Sequence, residues 1–479
     1  MLFNTFDYFI FLPVVFALYW FVFNKSLKWQ NIVILIASYF FYGWWNWKFL
    51  GLLGLSTLLD YYYGFFVASP NKRKAKLFLW LSVLNNLGIL AVFKYYNFFI
   101  TEFESAISVF GIHFTPWLLK IALPVGISFY TFHGMSYVFD IYRGKLKPIQ
   151  NFVEYALFVA FFPLLVAGPI ERANHLLPQI QTKRFFNYQQ AVEGCRLILW
   201  GLFKKIVIAD SLAVEVNQMY DAPENYNGIS LVIGMLAFSF QIYGDFSGYS
   251  DIAMGSAKLL GFELLSNFRF PYFSRDIAEF WRRWHISLSS WFKDYVYIPL
   301  GGSKEGKFKA FRNTIVIFLL SGFWHGASWN FIVWGGIHAC GFLPLLFLDR
   351  NRKNVSDIVA QDSHLPTWKE LGQMLMTFGF VTIAWVFFRA HTLTDAVQYL
   401  NQMCSSLLND NLYENLANAK GKRIFLFIIP LLLGDWYFRR NERQLKQFRF
   451  QYLFYFVTTL VVLYYFLNAK SDSFIYFQF

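Results

Sequence analysis

The sequence predicts an all-α polytopic membrane protein, and three observations carry that prediction. Of 479 residues, 57% are hydrophobic and 22% aromatic, while only 15% are charged; an ordinary globular domain carries about 25% charge. Apolar stretches long enough, or nearly so, to cross a hydrocarbon core of roughly 30 Å recur from end to end. The basic residues collect where those stretches stop, so the formal net charge of +13 follows the positive-inside pattern and does not point to nucleic acid.

In chain order, spans fall near 6–23, 31–47, 49–67, 77–99, 118–139, 152–169, 195–215, 229–247, 312–325, 329–348, 371–388, 424–438 and 451–467. Several are short or interrupted by Gly and Pro, which sets the expectation at about eleven to thirteen transmembrane or re-entrant helices. The first has no basic n-region and no small-residue cleavage site, so it reads as a retained helix. Lys25 and Lys28 follow span one, Lys72, Arg73, Lys74 and Lys76 follow span three, and Arg143, Lys145 and Lys147 follow span five. The alternate connections carry one lysine, Lys48, or the acids Glu102 and Glu104. That asymmetry places the N-terminus outside. The cluster Arg439, Arg440, Arg443, Lys446 and Arg449 then puts the last loop inside and the tail "SFIYFQF" outside. Cys195, Cys340 and Cys404 have no metal or redox spacing. With no repeat and no soluble segment, residues 1–479 read as a single membrane-embedded domain.

Residues 265–311 break the pattern, being basic, aromatic and too polar to span. At their centre lies "EFWRRWHISLSSWFKDYVYIPLGGS", 279–303. On one helix, Trp281, Trp284, His285, Leu288, Trp291, Phe292 and Tyr295 fall within an arc of about 120°. Arg282, Arg283, Ser287, Ser290, Lys293 and Asp294 occupy the rest, and Pro299, Gly301 and Gly302 stop the helix. Such a segment either lies at the interface with its arginines at headgroups, or re-enters the membrane and lines a cavity.

The next segment, 312–348, contains "SGFWHGASWNFIVWGGIHA", which has no formally charged residue and yet holds His325 and His338. An imidazole in such a run marks function by default, the plain alternative being a histidine satisfied by packing. His338 lies 13 positions after His325, a rotation of about 220° on an unbroken helix, so it should face elsewhere and serve structure. Asp245 and Asp251 are costly in an apolar setting unless paired, and the basic 265–311 region is a candidate partner. Gly322, Gly326, Gly335 and Gly336 fit close helix packing. No His/Asp spacing supports a metal site.

Five motifs in order, "FFPLLVAGPIER" at 161–172, "QIYGDFSGYSDIAMG" at 241–255, the 279–303 segment, the 321–339 segment and the ending "FIYFQF", resemble the membrane-bound O-acyltransferase family in its alginate O-acetyltransferase-type branch. The resemblance implies helices around a central funnel and tunnel, with no permanently bound cofactor. It implies transfer of an acyl group, commonly acetyl, from a cytoplasmic thioester donor to a cell-surface polysaccharide such as alginate. The donor is acetyl-CoA or, as in close cousins, a phosphopantetheine carrier protein. A separate extracytoplasmic acyltransferase partner would receive the acyl group at the bacterial inner membrane. Carried over by motif, His325 and His285 are the catalytic candidates.

A hydroxyl attacks a thioester well only if a base removes its proton, and imidazole suits that role. His325 is the expected base, with His285 orienting it or donating to the oxyanion. Trp281, Arg282, Arg283, Trp284, Trp324, Asp294 and Tyr295 are the substrate-binding candidates, the two arginines serving either donor phosphates or lipid headgroups. The alternative is D-alanyl or other acyl transfer to acceptors of teichoic-acid or peptidoglycan type. Two other classes are a lipid-linked-sugar transporter, which would often show repeated halves, and a non-catalytic component of a polysaccharide export complex, which needs no histidine pair.

Overall fold

The computed structural model describes residues 1–166, 168–355, 358–409, 411–440, 450–468 and 474–475. Arg443, Lys446, Arg449 and the tail past Ile475 lie outside the described residues. In hydrocarbon every backbone amide must bond within its own segment, so apolar runs become helices. Among the described residues the regular structure is entirely helical, and six helices are long and apolar enough to cross a membrane. Their outward faces suit lipid. Only 17% of the apolar window in Gln451–Asn468 is covered by protein, against 83% in Gly228–Leu259. The chain forms two compact units, Met1–Cys195 with Ala253–Leu265, and Arg196–Ile252 with Ser266–Phe479.

In the first unit, Leu27–Asn46 begins on Ser26, whose hydroxyl accepts the Trp29 N–H. It passes through a tight turn at Trp47–Phe49 into Leu50–Val67. Asn71 caps Lys72–Leu90 by accepting the N–H groups of Arg73 and Lys74. Asp60 joins these last two helices, accepting from Ser82 Oγ at 2.7 Å and from Asn86 Nδ2 at 2.9 and 3.0 Å. Two expected spans differ. Residues 112–124 are not helical, so the span near 118–139 starts late, as Ile127–Tyr142. Pro124 precedes that start, and Gly126 takes a left-handed φ of +72° where a Cβ would strike the Leu165 carbonyl. The span near 152–169 is broken into Phe152–Ala160 and Phe162–Leu165, because Phe161 leaves helical geometry and Pro163 opens a new turn.

The second unit takes up the chain at Arg196, within the helix Tyr188–Leu202, which runs through a wide π-type turn, Phe203–Ala209, into Asp210–Asp221. This path crosses Gly228–Leu259 where two glycines meet. A Cβ on Gly201 would lie 2.6 Å from the Gly248 carbonyl oxygen, and a Cβ on Gly248 would lie 2.7 Å from that of Gly201. The close crossing and the wide turn bring two successive lysines inward. Lys204 bonds Asp251 at 2.6 Å, and Lys205 bonds Asp210 at 2.7 Å and Asp245 at 2.8 Å. Asp245 also accepts the Ile475 N–H at 2.6 Å. The expected pairing of Asp245 and Asp251 with the 265–311 region is therefore corrected: lysines one helix away reach them first.

Lys307–His325 and Trp329–Phe347 pack as an antiparallel pair. A Cβ on Gly322 would collide with the Phe331 carbonyl, and one on Gly335 with that of Phe318. Gly336 has room, its nearest atom lying 3.9 Å away. Leu393–Asn409 is a further amphipathic helix that no apolar span announced.

Candidate active site

The expected single helix over 279–303 is instead two short helices, Ile277–Arg283 and Ile286–Phe292, followed by a wide turn at Lys293–Tyr297. The break falls at Trp284–His285. Trp284 is extended, and His285 sits in the left-handed region at φ +43°. Such a conformation costs a non-glycine residue about 1–3 kcal/mol and persists only where the surroundings enforce it. Two backbone bonds do so here. Ile286 N–H donates to Asn267 O and Arg269 N–H to Arg283 O, each at 2.9 Å. The aromatic arc is buried as expected, but Ser287 on the opposite face is buried too, because its hydroxyl donates to Asn267 Oδ1 at 2.8 Å.

The enforced turn directs His285 inward, where it is 0% exposed. Its Nδ1 lies 3.0 Å from Asn267 Oδ1. Its Nε2 has no hydrogen-bond partner among the described residues, an omission that costs roughly 1–3 kcal/mol when a buried polar atom bears it. His325 is the last residue of its helix, which stops because Gly326 is extended and Trp329 begins the next. At 3% exposure its ring lies 4.8 Å from Trp324, 5.1 Å from Trp334 and 5.3 Å from Phe388. The ring centres of His285 and His325 are 6.4 Å apart, close enough for one small group to touch both.

His338 takes a different place. The helix carrying His325 ends there, so the rotation expected of an unbroken helix does not apply, and both rings rest on Trp334, His338 at 4.8 Å. Its Nδ1 accepts the Trp281 indole N–H at 3.3 Å.

A cavity of about 780 Å³ is walled in part by Trp281, the hydrogen-bond partner of His338. Trp281, Phe292, Phe318 and Phe342 form apolar wall, and Arg282, Lys293 and Arg352 supply positive charge. It reaches Ser321, about one helical turn before His325. Arg282 is held in place by donating to the carbonyls of Asn351 at 2.8 Å and Asn354 at 3.2 Å.

Of the substrate-binding candidates, the structure brings only Trp281 and Arg282 to this cavity. Arg283 instead bonds Glu279 at 2.7 Å. Trp284 is buried in an aromatic stack, 5.6 Å from Phe280 and 5.0 Å from Trp385. Tyr295 packs on Trp291 at 5.1 Å, and Asp294 does not line the cavity. Trp324 packs against both histidines, 5.9 Å from His285 and 4.8 Å from His325. Sequence reasoning missed Asn267, Lys293 and Arg352. Only chain reversal puts Arg352 beside Arg282, whereas Asn267, a polar residue in the aromatic stretch "SNFRFPY", gave a faint signal.

Residues 40–388 match the MBOAT, membrane-bound O-acyltransferase, family. The chain is 39% identical over 402 residues to the protein called "Probable alginate O-acetylase AlgI" of Pseudomonas putida, covering 83% of this chain and 79% of that one. It is 36% identical over 434 residues to the peptidoglycan O-acetyltransferase of Helicobacter pylori, covering 84% and 80%. With the teichoic acid D-alanyltransferase of Bacillus subtilis it shares 27% identity over 275 residues, covering 55% and 68%. The matched stretch holds both buried histidines and the residues lining the cavity, and the chain belongs to the membrane-bound O-acyltransferase family, an enzyme of acyl transfer built into the membrane.

Proposed function

We propose that the chain takes acetyl groups from acetyl-CoA on the cytoplasmic side of a bacterial inner membrane and passes them on for O-acetylation of a cell-surface polysaccharide such as alginate. The observation that carries this reading is the pair of buried histidines, 6.4 Å apart, together with a cavity lined by Arg282, Lys293, Arg352 and Asp349 that reaches Ser321, about one helical turn before His325. Arg282, Lys293 and Arg352 suit the donor's phosphates. Trp281, Phe292 and Phe318 suit the thin pantetheine arm and its acetyl group. Basic residues at Lys307, Lys309, Arg350 and Arg352, at the ends of the helix pair 307–347, favour the cytoplasmic side. From there the 19-residue helix Lys307–His325 carries its last residue about 28 Å inward.

In the reaction, the hydroxyl oxygen attacks the thioester carbon while His325 takes the hydroxyl proton. The carbon–sulfur bond breaks, and the proton passes to the leaving thiolate. The helix end at His325 sets partial negative charge beside the ring as it becomes positive. The acetyl group is then an ester on that acceptor hydroxyl, and an extracytoplasmic acyltransferase partner breaks this ester, restoring the hydroxyl, as it forms the new one on the polysaccharide; both chain termini lie outside. The alginate-named relatives favour a polysaccharide acceptor. The peptidoglycan and teichoic-acid relatives support those glycans as the second reading, and a carrier protein would offer the same pantetheine arm.

Mass spectrometry of surface glycans, with and without the chain, tests the substrate: ester-linked acetyl groups should vanish from one polymer when the chain is removed. For the mechanism, His325→Ala should cut transfer per folded molecule by about 10² to 10⁴-fold while leaving folded yield largely intact. Near wild-type turnover in folded His325→Gln would overturn the base role.

A further inference from the structure

We propose that Asn267 is a positioning residue for acyl transfer: it keeps the ring proton of His285 on Nδ1, so that Nε2 offers a lone pair to the proton in transit between hydroxyl and His325. This rests on the acyl-transfer reading of the histidine pair. An amide oxygen has no proton to give, so His285 Nδ1, 3.0 Å from Asn267 Oδ1, is the donor. The orientation of the amide is fixed from both ends. Ser287 approaches the same oxygen with its hydroxyl at 2.8 Å and its backbone N–H at 3.4 Å, and the amide nitrogen donates to Ser250 Oγ at 3.2 Å. Turning the amide over would set its NH₂ against the Ser287 N–H.

A neutral imidazole with its proton on Nδ1 has a bare Nε2. That atom has no hydrogen-bond partner among the described residues, although the residue is 0% exposed and held in a left-handed backbone conformation. In this proposal His285 meets the reaction as an acceptor and not as a donor to the oxyanion. The rings packed on it belong to Phe246, Trp324 and His325, and of these only His325 titrates. Proton accounting is unchanged: the hydroxyl proton reaches His325 and then the thiolate, while His285 keeps its own.

Wild type, Asn267→Leu, Asn267→Asp and His325→Ala are compared in lipid discs, with acetyl-CoA as donor, polysaccharide extracted from the producing cell as acceptor, and an extracytoplasmic extract of that cell supplying the partner acyltransferase. Folded fraction is measured alongside. Asn267→Leu, which frees the tautomer, should lower kcat by about 10-fold or more with KM for acetyl-CoA unchanged. Asn267→Asp should recover most of kcat and move the acid limb of the pH–rate profile upward by about one unit, because a carboxylate favours the charged ring, which has no lone pair. If Asn267→Leu fails to fold, the Asp variant carries the test through that limb. Wild-type kcat in folded Asn267→Leu, or an unmoved acid limb in Asn267→Asp, overturns the role of Asn267. With His325→Ala inactive, either result leaves the histidine reading standing; turnover by His325→Ala would overturn that reading itself.

Discussion

Trp281 donates its indole N–H to Nδ1 of His338 at 3.3 Å, so the second histidine of the glycine-rich segment braces a wall of the cavity. Stacked 6.1 Å from Phe280 and resting on Trp334, it has a packing role. His338→Ala should lower thermal stability by roughly 2–4 kcal/mol through the cavity it leaves. Turnover per folded molecule should stay within a few-fold of wild type. Thermal unfolding in detergent, paired with transfer assays, checks both, and complete loss of turnover in a well-folded variant would place His338 in the chemistry.

The glycine contacts make a graded prediction. Gly322→Leu and Gly335→Leu should each abolish the folded protein, because the first side-chain carbon already meets a backbone carbonyl across the helix pair. Gly336→Ala should be tolerated within about 1 kcal/mol, since space is free there. Size-exclusion profiles of the three variants decide it.

Lys204 and Asp251 form a buried pair at 2.6 Å, and breaking it from one side leaves a lone charge. Lys204→Met should cost about 3–5 kcal/mol, and Lys204→Met with Asp251→Asn should recover part of that loss. Additive losses in the unfolding temperature would show that the two residues do not act as a pair.

The basic clusters predict sidedness. A reporter in the 70–76 loop should read cytoplasmic, and one fused after Phe479 should read external. A cytoplasmic C-terminus would reverse the assignment of the final loop.

Much of this was legible from residue types alone. Apolar length located the membrane helices, because hydrocarbon leaves the backbone no other choice. Motif order picked out His325 and His285, which the fold brings within 6.4 Å across 40 residues of chain. Periodicity correctly buried Trp281, Leu288 and Phe292, but it assumed one continuous helix and so exposed Ser287. The break at His285 was hidden because its cause, backbone pairing with Asn267 and Arg269, lies outside the helical window. Asp245 and Asp251 were rightly read as paired charges and wrongly matched, since only the crossing at Gly201 and Gly248 shows that Lys204 and Lys205 are nearer. The early end of the span near 152–169 was more accessible: Pro163 was in view throughout.

The lysine–aspartate cluster also constrains how the chain is made. Lys204 and Lys205 leave the ribosome before Asp245 and Asp251, and of the three acids described as bonding them only Asp210 has been made before those two. Released singly into lipid, the earlier helix would carry an unshielded lysine at membrane depth. The two helices are thus expected to leave the translocation machinery together, as a hairpin already closed at its glycine crossing. Biogenesis, and not only the finished enzyme, then selects against losing either glycine.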